Sequence, residues 1–233
     1  MRLLNLAPPI LRLKQSALDY QDQVGLLRIH WQIGNRTIFS RFYTRIDQVF
    51  IVWGLIIAII FGVAQFCPIN WTVQAIIWTG LTGIGTAGMI GLAWFWVTVE
   101  RLRWVVHGWA ILMSFGIVYT DLGILGGWWQ LLPYLCPLWL GVSALGYLIT
   151  GLGMRSRAFL VVGAWHLIGI VLLPHTGGWQ YLSTGAVMTG SLLVLSEMQW
   201  DMRPPIDFNA LTVEQKHFNQ EQHRLRRLAV EVQ

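Results

Sequence analysis

Six long apolar stretches alternate with short polar links along this chain. About 20 consecutive apolar residues in an α-helix cross the roughly 30 Å hydrocarbon core of a bilayer. Because the links are only a few residues long, consecutive helices should be antiparallel neighbours. The pattern therefore predicts an all-α integral membrane protein with a bundle of six transmembrane helices. The predicted spans run approximately over Gln48–Phe66, Trp71–Thr98, Trp104–Thr120, Trp128–Leu152, Ala158–Leu173 and Trp179–Ser196.

Positive charge is confined to every second polar segment. Of the sixteen Lys and Arg residues, seven precede the first span, two lie in each of the second-to-third and fourth-to-fifth links, and five follow the last span. The outer links contain no Lys or Arg. Since Lys and Arg favour cytoplasmic loops, both termini are predicted to be cytoplasmic. One span more or fewer would move the five positive charges of the carboxyl tail outside.

The chain divides into three regions. Residues 1–47 form a basic cytoplasmic or interfacial segment, residues 48–200 form the six-helix domain, and residues 201–233 form a polar cytoplasmic tail. Apolar and polar residues alternate over residues 27–33, which favours a strand, but an amphipathic helix on the membrane surface is also consistent, and we favour the helix. A soluble helix is predicted to begin near Thr212, where Thr212 and Gln215 form a candidate capping box.

Composition supports a membrane protein. Hydrophobic residues make up 55% of the chain and charged residues 12%, whereas soluble domains average about 25% charged. The net charge of +5 does not indicate nucleic-acid binding, because the basic residues flank apolar segments. Cys67 and Cys136 lack the spacing of a zinc site. Both are expected toward the outer half of the membrane, where they are either free thiols or joined in a disulfide. The compact, Trp-rich, loop-poor chain favours a prokaryotic inner membrane or an organellar, thylakoid-type membrane.

Small residues recur at helical spacing in three of the spans. Residues 83–88 formally match the GxGxxG pattern of dinucleotide-binding loops, but they lie inside an apolar helix instead of following a strand. Helix packing explains them better, because small residues let membrane helices approach closely. Such faces serve either packing within the chain or contact with other integral membrane proteins. The predicted packing residues are Gly54, Ala58, Gly62, Gly83, Ala87, Gly91, Ala186 and Gly190.

His166 is the most unusual residue predicted inside the bilayer. A rise of 1.5 Å per residue places it about 12 Å above the inner boundary and Ser143 at about 13 Å, so the two side chains form a candidate polar pair. An ionisable residue at this depth indicates a functional site, and burial favours the neutral imidazole. The alternative is a structural histidine that is hydrogen-bonded to a neighbouring helix.

Two short motifs resemble those of rhomboid-type intramembrane proteases. Gly141–Ala144 resembles their serine motif, His166–Gly169 resembles their HxxG motif, and a six-helix layout with the amino terminus inside is also similar. The resemblance implies serine chemistry at Ser143 and His166. The chain departs from the family pattern because the histidine follows on the very next helix, Ala144 follows the serine, and the second span has no histidine.

Other candidate sites use histidines and acids near the membrane boundaries. His107 and His166 are the histidines inside predicted spans, but His107 lies only about 4.5 Å deep, which disfavours a bis-histidine haem. Asp121 and His175, on outer links, are candidates for a proton-binding or metal-binding site, and the alternative is a solvated loop pair. Glu197 and Asp201 are expected to be helix-end charges that face water.

No motif names a reaction. The near absence of buried charge, the small-residue faces and the polar tails favour a non-catalytic accessory subunit or an assembly or scaffolding factor of a larger membrane complex, in an energy-transducing membrane. Residues 209–233 are a candidate docking segment for a cytoplasmic partner. The alternatives are a small-molecule or ion transporter or channel, and an intramembrane enzyme or cofactor carrier that uses haem or serine chemistry.

Overall fold

A computed structural model describes residues 9–203 and 209–231, without the side chains of residues 227–231; the rest of the predicted tails, residues 1–8, 204–208 and 232–233, lies outside the described part. The fold is mostly helical, with 74% of residues in helices. Short 3-10 turns cover Trp129–Tyr134, Leu173–His175 and Gly177–Trp179. The strands and α-helices are β1 (Leu11–Arg12), α1 (Tyr20–Gln23), β2 (Leu27–Ile33), β3 (Arg36–Tyr43), α2 (Arg45–Phe66), α3 (Trp71–Val99), α4 (Arg103–Ile124), α5 (Leu135–Met154), α6 (Arg157–Leu172), α7 (Gln180–Glu197), β4 (Gln199–Trp200) and α8 (Val213–Glu231).

Five helices in the described part of the chain are long and apolar enough to cross a membrane. They are α2, α3, α4, α5 with the 3-10 turn before it, and α6 with the turn after it. This confirms a multi-pass, helical membrane protein. The sixth predicted span, Trp179–Ser196, corresponds to the 18-residue helix α7, which is not among the five. Its sequence begins with Gln180, ends with Glu197 and carries several Ser and Thr residues, which lower its apolar character.

The amino-terminal segment contains a β-hairpin, so the predicted membrane-surface helix over residues 27–33 is wrong. Strands β2 and β3 are antiparallel, with Leu27 opposite Tyr43 and Ile33 opposite Arg36. The two-residue turn begins at Gly34, whose φ of +58° suits the glycine position of a tight hairpin turn. Alternation with a period of two residues, continued by aromatic and β-branched residues in β3, outweighed the helical alternative.

The helices pack through one main apolar core. Helix α2 packs most extensively on α7, and α5 packs on α6, while α3 lies against α2 and α4. Leu140 and Leu195 are fully buried in this core. Glycines allow close packing of Trp rings: a Cβ atom added at Gly146 would lie 2.5 Å from the Trp109 ring. Aromatic rings therefore pack directly against helix backbones at glycine positions in the bundle.

The two tails meet at one end of the bundle. Strand β1 pairs with β4, so that Leu11 lies opposite Trp200. The predicted carboxyl-terminal helix is present as α8, and its capping box forms: the backbone N–H of Thr212 donates to Gln215 Oε1 at 2.9 Å, and the N–H of Gln215 donates to Thr212 Oγ1 at 3.3 Å. Asn219 joins α8 to the amino-terminal segment, because its Oδ1 accepts from the backbone N–H of Tyr20 at 2.6 Å.

The two basic links lie at the same end. Asp201, just after β4, is buried instead of facing water as predicted, and it accepts hydrogen bonds from Ser156 Oγ at 2.9 Å and Arg157 Nε at 2.8 Å. It also accepts from the backbone N–H groups of Arg157 and Ala158, each at 3.0 Å, and so caps the start of α6. Arg203 contacts the other link through the backbone carbonyl of Glu100.

Candidate functional site

An apolar cavity of about 140 Å³ lies inside the bundle. Side chains from helices α2 to α7 line it, most of them aromatic, aliphatic or Met residues. Trp53, Trp109 and Trp139 contribute three of its aromatic walls. Apart from the indole N–H groups of its Trp residues, its polar groups are few and come from Thr82, Ser143, Tyr147, Thr150 and His166. The cavity thus offers a small apolar space with isolated hydrogen-bonding groups.

His166 is fully buried on α6 and lines this cavity. Its Nδ1 atom lies 2.8 Å from the carbonyl oxygen of Val162, one turn earlier in the same helix. A carbonyl only accepts, so Nδ1 carries a proton, and in the neutral imidazole Nε2 is left as an acceptor. Nε2 has no hydrogen-bond partner among the described residues. A purely structural histidine was predicted to bond to a neighbouring helix, whereas the observed hydrogen bond of His166 lies within α6.

Ser143 is buried on α5 and lines the same cavity as His166. The structure therefore brings the predicted polar pair to one space. The two side chains are not hydrogen-bonded through Nε2, since that atom is unpartnered within the described residues. The ring of His166 instead lies 5.0 Å from the ring of Tyr147, centroid to centroid. The serine–base hydrogen bond that nucleophilic catalysis uses is not formed in this arrangement.

Trp78 on α3 adds a second unsatisfied group to the cavity wall. The residue is buried, and its Nε1 donor has no hydrogen-bond partner in the described part of the chain. Thr82, one turn later, is also buried and lines the cavity, with its backbone carbonyl accepting from Thr86 Oγ1. Sequence reasoning missed Trp78, because a Trp within an apolar span gives no signal that its N–H is buried.

A second, charged cavity of about 760 Å³ lies at the end of the bundle where the tails meet. It is formed by the amino-terminal segment, the ends of α2 and α3, the residues around β4, and α8. Lys14 Nζ lies 2.7 Å from Asp47 Oδ2, and Arg226 and His223 both contact Asp19. Its basic residues are Arg12, Lys14, Arg203, His223 and Arg226, and its acidic residues are Asp19, Asp22, Asp47 and Glu100.

Arg12 is a cation of this cavity without an acidic side chain beside it in the described part of the chain. Its side chain forms no ion pair with an acid among the described residues. Burial lowers the pKa of its guanidinium, and the nearby charge of Arg226 lowers it further. Two cations therefore share a partly desolvated space.

Two carboxyl groups in the charged cavity are shifted toward their neutral forms. Burial raises the pKa of Glu100, which follows α3, to about 7, although Arg203 and a hydrogen bond from Gln21 Nε2 at 3.1 Å act in the opposite direction. Burial likewise raises the pKa of Asp22 to about 6, while a 2.8 Å hydrogen bond from Trp96 Nε1 opposes the shift. Buried carboxyl groups of this kind mark candidate functional sites.

The two cavities are neighbours, because Ile46 and Trp96 line both of them. Trp96 belongs to each: its N–H donates to Asp22 on the charged side, and its ring packs edge-on against Trp200 at 6.3 Å. The charged cavity was not predicted from sequence, since its residues come from segments far apart in the chain.

The remaining predicted site residues lie outside both cavities. His107 is exposed on α4, and its ring contacts Trp94 at 5.9 Å. His107 and His166 therefore do not face a shared haem site. Asp121 accepts from Thr79 Oγ1 at 3.0 Å, whereas His175 is exposed in a 3-10 turn. Among the described residues, no group of three or more metal-ligating side chains forms a candidate metal site.

The predicted packing residues divide into two classes. Gly54 packs inside the chain against α7, where Thr189 Oγ1 donates to its carbonyl oxygen at 3.3 Å. On α3 the predicted stripe faces outward: Gly83, Ala87 and Gly91 are exposed, and so is Gly80. A Cβ atom at any of these three glycines would meet no atom within 4 Å. We call these four residues the α3 glycine face. Of the others, Ala58 and Ala186 are exposed, and a Cβ at Gly62 or Gly190 would also meet nothing within 4 Å.

Comparison of the chain with protein-family models, curated proteins and solved structures finds no match.

Proposed function

We propose that this chain is a non-catalytic, partner-binding subunit or assembly factor of a larger membrane protein complex. The α3 glycine face carries the proposal. Glycine inside a helix costs about 1 kcal/mol relative to Ala in water-soluble hosts, so a glycine needs a reason such as close packing. Gly85 on the same helix has one inside the chain, because a Cβ there would lie 2.8 Å from Ile56 of α2. Gly80, Gly83 and Gly91 have no such neighbour.

The occupant we propose is a transmembrane helix of a different protein. The four residues of the α3 glycine face fall within about 100° of helix rotation and span roughly 16 Å along the axis, as a close helix–helix contact requires. Helix α8 offers a second surface at the end where the tails meet, since Phe218 and Leu225 are exposed one heptad apart. The α3 glycine face and the exposed residues of α8 lie on different parts of the fold. A partner that contacts both would have a transmembrane part and a soluble part.

Leucine substitution in the α3 glycine face tests this function. Gly83 and Ala87 are exposed, and a Cβ at Gly83 meets no atom within 4 Å. In the variants Gly83→Leu and Ala87→Leu the fold should therefore persist while the partner helix is displaced. A tagged chain, purified in mild detergent and analysed by quantitative mass spectrometry, should lose at least tenfold of its co-purifying membrane protein in both variants. Gly108→Leu on α4 is the matched control, because a Cβ at Gly108 also meets nothing within 4 Å.

Two results would contradict the proposal. The first is a wild-type chain that purifies without a stoichiometric membrane partner, or whose partner is retained equally by the variants. The second is self-association of the wild-type chain, measured by light scattering, that is lost in Gly83→Leu. This result would mean that the α3 glycine face binds a second copy of the chain.

The proposed topology has six spans with both termini cytoplasmic, in a prokaryotic inner membrane or a thylakoid-type membrane. The contact between the two tails supports an even number of crossings, because five would leave the tails on opposite sides. Helix α7 supplies the sixth crossing beside α2. Reporter fusions after residues 69 and 126 should be external, and fusions after residue 203 internal. An external reporter at residue 203 would overturn the proposal.

A small-molecule transporter is the second candidate function, and the adjoining cavities favour it. The charged cavity opens at the end of the bundle where the tails meet, and Ile46 and Trp96 line both this cavity and the apolar cavity. Together the two cavities resemble a path from that end into the bundle. Flux of small solutes into proteoliposomes should then increase on Trp96→Ala, which widens the shared wall. Vesicles with either protein that behave like empty vesicles would remove this candidate.

A further inference from the structure

We propose that the apolar cavity binds a small hydroxylated aromatic ring, of the phenol or quinol class. This site is separate from the α3 glycine face and does not depend on the proposed partner. The inference rests on the size of the cavity, on its walls and on two buried polar atoms.

The size of the cavity fits one small ring. An engineered cavity of about 150 Å³ with apolar walls stays dry and binds benzene, and the cavity described here measures about 140 Å³. A haem macrocycle is several times larger than benzene, so the cavity does not fit it. The walls supplied by Trp53, Trp109 and Trp139 offer edge and face contacts that favour an aromatic guest over an aliphatic chain.

The polar chemistry of His166 specifies a donor on the ligand. Because Nδ1–H is held by the Val162 carbonyl at 2.8 Å, Nε2 presents a lone pair. A buried acceptor without a partner is unfavourable, and a ligand hydroxyl that donates to Nε2 removes this cost. A carbonyl or ether oxygen cannot do so, since it only accepts. The site therefore favours a phenol or quinol over an ether or an oxidised quinone.

Trp78 complements His166 on the cavity wall. Its buried Nε1–H lacks a partner within the described residues and can donate to a ligand oxygen. A hydroxyl oxygen accepts as well as donates, and a quinol carries two such oxygens. One acceptor and one donor in an otherwise apolar wall thus match the two functions of a ring hydroxyl.

The test measures binding of 4-fluorophenol and fluorobenzene to the full chain in nanodiscs by ¹⁹F NMR, with empty nanodiscs subtracted. The wild type should bind 4-fluorophenol saturably and about tenfold more tightly than fluorobenzene, as one buried hydrogen bond provides. His166→Phe should reduce this preference to less than twofold. His107→Phe is the matched control, because that exposed histidine lies outside both cavities, and it should keep the wild-type preference.

A second variant keeps the test valid where His166→Phe unfolds. Trp78→Phe keeps an aromatic side chain but removes the indole N–H, so it should reduce the preference for 4-fluorophenol over fluorobenzene severalfold. The proposal is overturned by equal wild-type affinities for the two probes, by the absence of saturable binding, or by an unchanged preference in a folded His166→Phe protein. Tighter binding of 4-fluoroanisole, an ether, than of 4-fluorophenol would overturn it as well.

Discussion

Replacing Glu100 with Gln should reduce the pH dependence of folding stability between about pH 5 and pH 8. Burial raises the pKa of Glu100 from 4.5 to about 7, so its carboxyl group keeps its proton in the folded chain after it has lost it in the unfolded chain. The contribution of Glu100 to stability is therefore highest below pH 4.5, falls as the pH rises toward 7, and levels off above 7. At about 1.4 kcal/mol per pKa unit, the loss is about 3 kcal/mol.

Glutamine is neutral at every pH and preserves the contact with Gln21, because its side-chain oxygen can accept from Gln21 Nε2 as Glu100 Oε1 does at 3.1 Å. The free energy of unfolding is measured by SDS titration in mixed micelles at several pH values. The difference between the variant and the wild type should grow by about 2 to 3 kcal/mol in favour of the variant from pH 5 to pH 8. The pKa of Asp22 is also raised, to about 6, so Asp22 makes stability fall with rising pH in both proteins. Its contribution largely cancels in the difference between them.

Glu214→Gln is the control, since Glu214 is exposed on α8 and should leave the pH profile unchanged. Parallel profiles for Glu100→Gln and the wild type would refute the reasoning, because they would mean that Glu100 titrates alike in both states. A difference that grows toward low pH would refute it more directly, since it would require a lowered pKa.

Three further predictions follow from individual contacts. Asp201→Ala should cost about 3 to 5 kcal/mol in SDS unfolding, because it leaves Arg157 and the start of α6 without their buried acceptor, and a cost below about 1 kcal/mol would contradict the capping role. Gly146→Ala should cost about 1 to 3 kcal/mol, because its Cβ would collide with the rigid Trp109 ring; Gly83→Ala, in open space, should cost nothing measurable. Cys67 and Cys136 are both free, so the disulfide alternative is not formed in the structure. Exposed Cys67 should react with a maleimide in the folded protein, whereas buried Cys136 should react only after unfolding; an unreactive Cys67 would contradict its exposed position.

The apolar pattern predicted the helices well, because burial in lipid requires long uninterrupted apolar runs. The overlong second span is observed as a single 29-residue helix, α3. The prediction failed at residues 27–33, where seven residues were too few to separate a surface helix from a strand, and pairing with β3 decided between them. Helix α7 shows the opposite difficulty: its Ser and Thr residues weaken its membrane signal even though it packs along α2.

The candidate site was only partly predictable. The depth of His166 in the bilayer stays a prediction from helix geometry, and its free Nε2 atom depends on a hydrogen bond that no spacing rule specifies. The charged cavity depends on contacts between residues far apart in sequence, such as Gln21 with Glu100 and Asp19 with Arg226. In the sequence these side chains look like ordinary solvated charges. Only the meeting of the tails shows that they are buried together.

The pairing of β1 with β4 also sets the order in which the molecule can be completed. Leu11 is made early, but its partner Trp200 follows the last helix of the bundle. At about 5 to 20 residues per second, roughly 10 to 40 s separate their synthesis. During that interval the strand edge and the acids of the charged cavity are uncovered. Closure of this end of the bundle therefore requires a chain made at least as far as β4, and a chain truncated before residue 199 would keep an open strand edge on which quality-control proteases can act.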